Sequence, residues 1–158
     1  MALQSSGQIS LEDINSELGR SANTQIGMYQ AENGDYGAIN QYSPSRPDGT
    51  TPNQITEWYN YNHSIIGVTG FYASSADVFG EYELAASVYL SNSVNQDTTI
   101  EAIVNTGFGS TTLTVVISNG NSNGTATMSY FTDPSPVGPN CLNFIGGDSR
   151  VSLTGFTC

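Results

Sequence analysis

The sequence predicts a mostly β protein, in which an irregular N-terminal segment with one short helix precedes a C-terminal, immunoglobulin-like, antiparallel β-sandwich. Three observations lead to this fold class. Hydrophobic residues recur at every second position after His63, a helical pattern occurs once before it, and charged residues make up only 11% of the 158 residues. Ser, Thr, Asn and Gly take the place of the charges, which favours strands over long polar helices. We place the boundary between residues 1–63 and 64–158.

About six strands are expected in residues 64–158, because apolar and polar residues alternate there in short runs at the spacing typical of a sandwich. No helical pattern separates the runs, so a parallel α/β sheet is disfavoured. The Cys–Trp–Cys core of antibody domains is absent, and "immunoglobulin-like" therefore describes an architecture only. The runs span residues 68–73, 82–91, 100–105, 112–117, 126–130 and 151–153.

The one helix is predicted at about residues 10–18. Ser10 is a plausible N-cap, and Asp13 lies three positions later, where a capping box places its acidic partner. Gly19 suits the position that follows the helix. The apolar residues at i, i+3 and i+7 fall on one helical face; they are Leu11, Ile14 and Leu18. Residues 27–54 are rich in Gly, Pro, Asn and Ser and are predicted to be extended loops.

The charge balance excludes several classes of partner. The chain has no lysine, and its three arginines face fourteen carboxylates, for a net charge of −11. Binding to a phosphate backbone needs clustered basic residues, so we expect no nucleic-acid partner. The same charge opposes docking on an anionic membrane, and no apolar run approaches the length of a transmembrane helix. Residues 1–7 lack the pattern of a signal peptide, which makes synthesis in the cytoplasm the simplest interpretation.

The sequence offers no catalytic constellation, and we expect no enzymatic activity, no metal and no cofactor. His63 is the only histidine and no G-x-S-x-G elbow is present, so a serine hydrolase is disfavoured and His63 is expected to be structural or at an interface. The carboxylates are scattered along the chain. Cys141 and Cys158 lack a C-x-x-C partner or a nearby histidine, which argues against zinc. Two reduced thiols are the favoured interpretation, and a disulfide is the alternative.

Three aromatic residues are concentrated in residues 57–63, the stretch EWYNYNH at the boundary between the two parts. Trp58, Tyr59 and Tyr61 could form a core, a protein interface or a sugar-binding face, since all three use dense aromatic clusters. Packing within the protein is the favoured interpretation of this stretch.

Two motifs resemble the N-terminal signature of many bacteriophage virion structural proteins. Residues 3–19 read LQSSGQISLEDINSELG, which is similar to their S-G-x-I-S-L-x-D-I-x-x-E-x-G segment. Residues 52–59 read PNQITEWY, which is similar to their P-x-x-[ILM]-S-E-[FWY]-Y segment. The extension through residue 63 resembles a variant of phages of marine and gut Bacteroidetes. The chain departs from the pattern in a long insert between the motifs and in Thr56, where serine is usual.

The resemblance implies a non-enzymatic structural component of a bacteriophage virion, a tail, fibre, neck or head-surface protein made in the host cytoplasm. Its partners would be other virion proteins and further copies of the chain, with a homotrimer as the first expectation. Residues 1–63 would attach it, because about sixty loop-rich residues should not bury their apolar side chains alone. The expected assembly interface consists of Leu11, Ile14, Leu18, Trp58, Tyr59, Tyr61 and His63.

A host-surface adhesin that binds glycans through the sandwich is the alternative function. Its discriminating feature would be exposed, coplanar aromatic rings on the sandwich. The candidates for this glycan-binding surface are Tyr72, Tyr82, Tyr89 and Tyr130.

Overall fold

The computed structural model describes residues 2–158 and divides the chain into two compact units. Unit 1 ends at Ile65, and unit 2 runs from Ile66 to Cys158. Strand is the dominant secondary structure and helices are few, so the prediction of a mostly β protein with two sheets is confirmed.

Unit 1 contains short helices joined by loops. Helix α1 is Leu11–Glu17, α2 is Met28–Glu32, and a 3-10 helix spans Ile55–Trp58. Ser10 caps α1 as the sequence predicts: its hydroxyl accepts from the Asp13 N–H at 3.2 Å, and its own N–H donates to the Asp13 carboxylate at 2.8 Å. No helix among residues 2–158 has the length and apolar character needed to cross a membrane.

The prediction of a single helix is wrong, because α2 and the 3-10 helix were missed. The five residues of α2 follow Gly27, which offers no side-chain cap, and they carry no helical repeat of apolar residues. Tertiary packing rather than propensity stabilises α2, since Ala31 is fully buried against the rest of the unit.

Unit 2 is a sandwich of two sheets. One sheet has the order β5-β2-β1-β7 and the other has the order β4-β3-β6. Within residues 66–158, all of which are described, the strands are β1 Ile66–Val78, β2 Glu81–Leu90, β3 Thr98–Thr106, β4 Gly109–Ile117, β5 Asn123–Tyr130, β6 Cys141–Gly146 and β7 Val151–Ser152.

The core of unit 2 lies between the two sheets and follows from the alternation in the sequence. Every second residue of β3 is buried from end to end, and β4 buries alternate residues over its second half. The facing side chains of β2 close the core from the other sheet. The fully buried side chains include Leu84, Ala86, Val88, Ile100, Ala102, Val104, Val115 and Ile117.

The topology differs from the expected one in two respects. Strand β6 was not among the predicted strands, because it is short and lies between Pro139 and Gly147. Strand β7 pairs with β1 in parallel, so the sandwich is not wholly antiparallel. Strand β4 stays beside β3 in one sheet, because a two-residue connection, Gly107-Phe108, joins the two strands.

A disulfide joins Cys141 and Cys158, so the favoured interpretation of two reduced thiols is wrong. The segment after β7 turns back and lies beside β6, where the Leu142 N–H donates to the Phe156 carbonyl at 2.7 Å. This pairing brings residues 141 and 158 together although 17 positions separate them. Sequence spacing alone did not reveal the pairing because β6 itself was not predicted.

Candidate binding surfaces

Most of the expected assembly interface lies inside unit 1. Trp58, Tyr61 and Ile14 have no exposed surface, and Leu18 is also buried. The rings of Trp58 and Tyr61 meet edge to face with centroids 5.1 Å apart. The expectation that unit 1 cannot bury these side chains is therefore wrong, because Ile9 and Ala31 complete a core around them.

The two motif segments pack against each other in unit 1. The Leu3 N–H donates to the Tyr61 carbonyl at 2.8 Å, and the Asn60 N–H donates to the Gln4 carbonyl at 3.1 Å. The Tyr59 hydroxyl donates to the Gly7 carbonyl. Residues 3–19 and 52–63 thus form one structural element, although 32 positions separate the two motifs.

His63 serves as a structural link in unit 1. Its backbone N–H donates to the Glu17 carboxylate at 2.7 Å, and its ring nitrogen Nδ1 lies 2.8 Å from the Tyr61 hydroxyl. The same hydroxyl accepts from the Asn40 N–H at 2.9 Å. Burial raises the pKa of Tyr61. These contacts fix the imidazole within the unit, as expected of a structural histidine.

Leu11 is the member of the expected interface that the structure leaves most exposed, at 41% of its surface. It borders a shallow groove of about 320 Å³ between α1 and residues 22–26. Tyr29 on α2 is more than half exposed, whereas Tyr59 and His63 are partly buried. The accessible apolar surface of unit 1 therefore lies on its helices and not on the aromatic stretch.

Unit 1 also contains a buried carboxylate, which the sequence did not indicate. Glu32 is only 5% exposed and accepts a hydrogen bond from the Asn53 amide. Burial raises the pKa of Glu32, and the nearby carboxylates of Glu57 and Asp48 add to this shift. The indole N–H of Trp58 acts in the opposite direction and lowers the pKa of Glu32, although it makes no hydrogen bond of normal geometry. Glu32 is therefore easier to protonate than an ordinary glutamate.

The four tyrosines of the expected glycan-binding surface do not share one face. Tyr72 and Tyr89 point outward from the neighbouring strands β1 and β2. Their rings are 5.7 Å apart but inclined at 78°, so they are not coplanar. Tyr82 and Tyr130 pair across β2 and β5 in register with the buried residues, and the Tyr130 hydroxyl bonds to Thr111 of β4. The four candidates therefore do not supply the exposed, coplanar rings that would distinguish the glycan-binding alternative.

One end of the sandwich carries exposed phenylalanines that the sequence analysis missed. Phe79 in the β1–β2 turn and Phe131 after β5 are almost fully exposed, and Phe108 in the β3–β4 turn is two thirds exposed. Pairing of β2 with β5 and the Tyr130–Thr111 bond bring these connections to the same end. The sequence does contain a signal for exposed turn residues here, because Phe79 and Phe108 each precede a glycine in a segment between two predicted strands.

The backbone at Phe79 is unfavourable for its residue type. Phe79 has φ of 56° and Gly80 has φ of 90°, which matches the type I′ turn of a two-residue hairpin. Asn, Asp or Gly normally occupies the first of these positions, because other side chains are strained there. Folding alone therefore does not account for an exposed phenylalanine at this position.

At the opposite end, the only cation of unit 2 holds a buried carboxylate. Asp148 is 2% exposed and accepts from the guanidinium of Arg150, from the Arg150 N–H at 3.0 Å and from the Asn95 N–H at 2.9 Å. Hydrogen bonds from Arg150 lower the pKa of Asp148 to about 2. The group joins the β6–β7 turn to the β2–β3 connection, which is a structural role.

Within residues 2–158, no group of three or more His, Cys, Asp or Glu side chains is arranged to hold a metal ion. No protein-family model, curated protein or solved structure matches the chain.

Proposed function

We propose that the chain is a non-enzymatic structural component of a bacteriophage particle, attached through unit 1 and displaying unit 2. It would lie on the tail, the neck or the head surface. Its partners would be other virion proteins.

The packing of the two motif segments into one core carries the proposal. Residues 3–19 and 52–63, which resemble virion proteins, contact each other through Leu3, Gln4 and Gly7 on one side and residues 59–61 on the other. A shared core gives a physical reason why the two motifs occur together and in order. The intervening loops can vary in length without disturbing the core that both motifs build.

Attachment in this proposal uses the exposed side of the helices. Leu11 and the groove beside it offer apolar surface next to α1, and Tyr29 offers more on α2. Aromatic and aliphatic side chains that fill pockets dominate the energetics of many interfaces. The buried Ile14 and Trp58 contribute by shaping the unit and not by contacting the partner.

The proposal includes no catalytic activity. It is supported by the contacts of three side chains that could take part in acid–base chemistry. The His63 imidazole already bonds to the Tyr61 hydroxyl, and Glu32 is buried beside Trp58. The Asp148 carboxylate is occupied by Arg150 and backbone N–H groups. Each group thus has a structural role.

Incorporation of variants into particles tests the proposal. Leu11→Asp places a charge at an exposed site and should leave the unit folded while it greatly reduces the copies per particle. Gln41→Asp is the matched control, since residue 41 is also exposed in unit 1, and it should be incorporated normally. Ile14→Asp is unsuitable because it would unfold the unit. Normal incorporation of folded Leu11→Asp would contradict attachment through α1.

The glycan-binding alternative is supported only by the outward tyrosines Tyr72 and Tyr89. Their perpendicular rings do not offer the flat stacking surface that a sugar ring needs. Glycan-array binding that is lost in Tyr72→Ala would favour this alternative over a purely structural role.

A further inference from the structure

The connection between β5 and β6 crosses one end of unit 2. It begins at Phe131, where β5 ends, and passes β1, because the Ser75 hydroxyl donates to the Asp133 carboxylate at 2.8 Å. It then reaches β3, where the Val137 N–H donates to the Asn105 carbonyl at 2.8 Å. The β1–β2 and β3–β4 turns lie at the same end, so three connections meet there.

Each of the three connections exposes a phenylalanine. Phe79 and Phe131 are almost fully exposed, Phe108 is two thirds exposed, and Val137 adds to the same apolar surface. We call these four residues the phenylalanine end. Aromatic side chains bury about 150 Å² or more each, so full coverage of the three rings would remove roughly 400 Å² from water. A standard protein interface covers about 800 Å² on each partner, and the rings would supply about half of it.

The backbone at Phe79 indicates that this exposure has a function. Its φ of 56° suits asparagine or glycine, and a phenylalanine is strained there. The ring is fully exposed and gains nothing from burial within the unit. Strained residues persist where they serve a purpose other than folding. A partner that buries the ring would supply the favourable contact that the fold does not.

Negative charge accompanies the rings. Asp77 and Glu81 lie on either side of the β1–β2 turn, and Asp133 follows closely after β5. All three carboxylates are on exposed residues. Arg150, the only lysine or arginine of unit 2, lies at the opposite end. The phenylalanine end therefore combines apolar rings with carboxylates and has no positive side chain to neutralise them.

This charge distinguishes between the possible occupants of the phenylalanine end. An anionic membrane would repel the carboxylates, and a neutral one would leave them without a partner; segments that bind membrane surfaces usually carry Lys or Arg beside their apolar residues. A second copy would bring the same carboxylates together. A basic protein surface with apolar pockets complements both features, because pockets accept the rings and Lys or Arg pair with the carboxylates.

We propose that the phenylalanine end docks onto a partner protein whose surface is basic and contains apolar pockets. Phe79 and Phe131 enter the pockets, and the three neighbouring carboxylates pair with Lys or Arg of the partner. The contact goes beyond the attachment through unit 1 and does not depend on it, since all of these residues belong to unit 2.

Binding of a designed peptide to the full chain tests the inference. The probe is a fluorescent amphipathic helix of leucine and lysine, which presents apolar grooves beside positive charge. The same peptide with glutamate in place of lysine is the control. In an anisotropy titration at about 0.15 M salt, the chain should bind the lysine peptide with a micromolar dissociation constant and should not bind the glutamate peptide.

Phe79→Asn separates binding from folding. Asparagine suits the backbone at this position, so the variant should fold at least as well as the parent chain, yet it should weaken binding of the lysine peptide about tenfold. Phe131→Ser should weaken it to a similar extent. Tyr72→Ser is the matched control, because Tyr72 is also exposed but lies roughly 20 Å from the end of β1. It should bind like the parent chain.

The carboxylates and a membrane are tested in the same way. Replacing both Glu81→Gln and Asp133→Asn should weaken binding and make it less dependent on salt. Failure of the parent chain to bind the lysine peptide, equal binding of both peptides, or unchanged binding by Phe79→Asn and Phe131→Ser would overturn the proposal. Co-sedimentation of the chain with phosphatidylcholine or phosphatidylglycerol vesicles, lost in Phe79→Asn, would also overturn it, in favour of a membrane.

Discussion

The ion pair between Asp148 and Arg150 should stabilise unit 2 in a way that depends on pH. The pKa of Asp148 falls from 3.8 to about 2 on folding, chiefly through hydrogen bonds from Arg150. One pH unit of difference in pKa corresponds to about 1.4 kcal/mol, so the ionised carboxylate stabilises unit 2 by about 2 kcal/mol. Because the folded pKa is the lower one, this contribution is complete above about pH 4 and is lost as the pH falls through 2.

Asp148→Asn removes the charge and keeps the shape of the side chain. It should lower the free energy of unfolding of unit 2 by about 2 kcal/mol at pH 7. The difference from the parent chain should shrink below pH 4 and vanish near pH 2. Asp133→Asn is the control, because Asp133 is exposed, and it should change stability by less than about 0.5 kcal/mol.

Urea unfolding at several pH values measures this effect, and the two units can be followed separately. The single tryptophan, Trp58, is buried in unit 1, so its fluorescence reports that unit. Circular dichroism of the strands reports unit 2, which contains all seven of them. A difference between Asp148→Asn and the parent chain that stays constant from pH 7 to pH 2 would refute the reasoning.

Three further outcomes follow from the structure. Replacing Cys141 and Cys158 with serine opens a loop of 17 positions and should lower the free energy of unfolding of unit 2 by about 3 kcal/mol. An unchanged urea midpoint would show that the disulfide adds nothing to the stability of the unit. Glu32→Gln should stabilise unit 1 at pH 7, because burial raises the pKa of Glu32. The gain should shrink as the pH falls below this raised pKa and should be gone below the ordinary pKa of a glutamate. Trp58 fluorescence follows this transition, and a loss of stability at pH 7 would contradict the assigned burial cost. Phe79→Asn creates an Asn-Gly turn and should stabilise unit 2 by about 1 kcal/mol; a destabilised variant would mean that Phe79 is needed for folding.

Local signals in the sequence were sufficient for helix α1 and for the three strands with the clearest alternation. Ser10 and Asp13 lie three positions apart and form the cap they predict, because capping depends only on neighbouring residues. Strands β2, β3 and β4 alternate because one face of each meets the core.

Features that depend on long-range packing were not visible in the sequence. The second half of β1, after Ala73, has no apolar alternation and is a strand because its backbone pairs with β2. The burial of Trp58 was only one of several alternatives. It requires residues 3–9 to pack against residues 58–61, which are far away in the sequence. The inward orientation of Tyr82, by contrast, agrees with the alternation, because Tyr82 stands in phase with the buried Leu84 and Ala86.

Quantification of the chain in purified phage particles tests the proposed role most directly. Particles would be banded twice by density, washed in high salt and analysed by mass spectrometry against an isotope-labelled copy of the chain. A structural component should be present at a fixed number of copies per particle, which the second banding does not change. A chain that stays in the soluble fraction, with less than one copy per particle, would contradict the assignment to the virion.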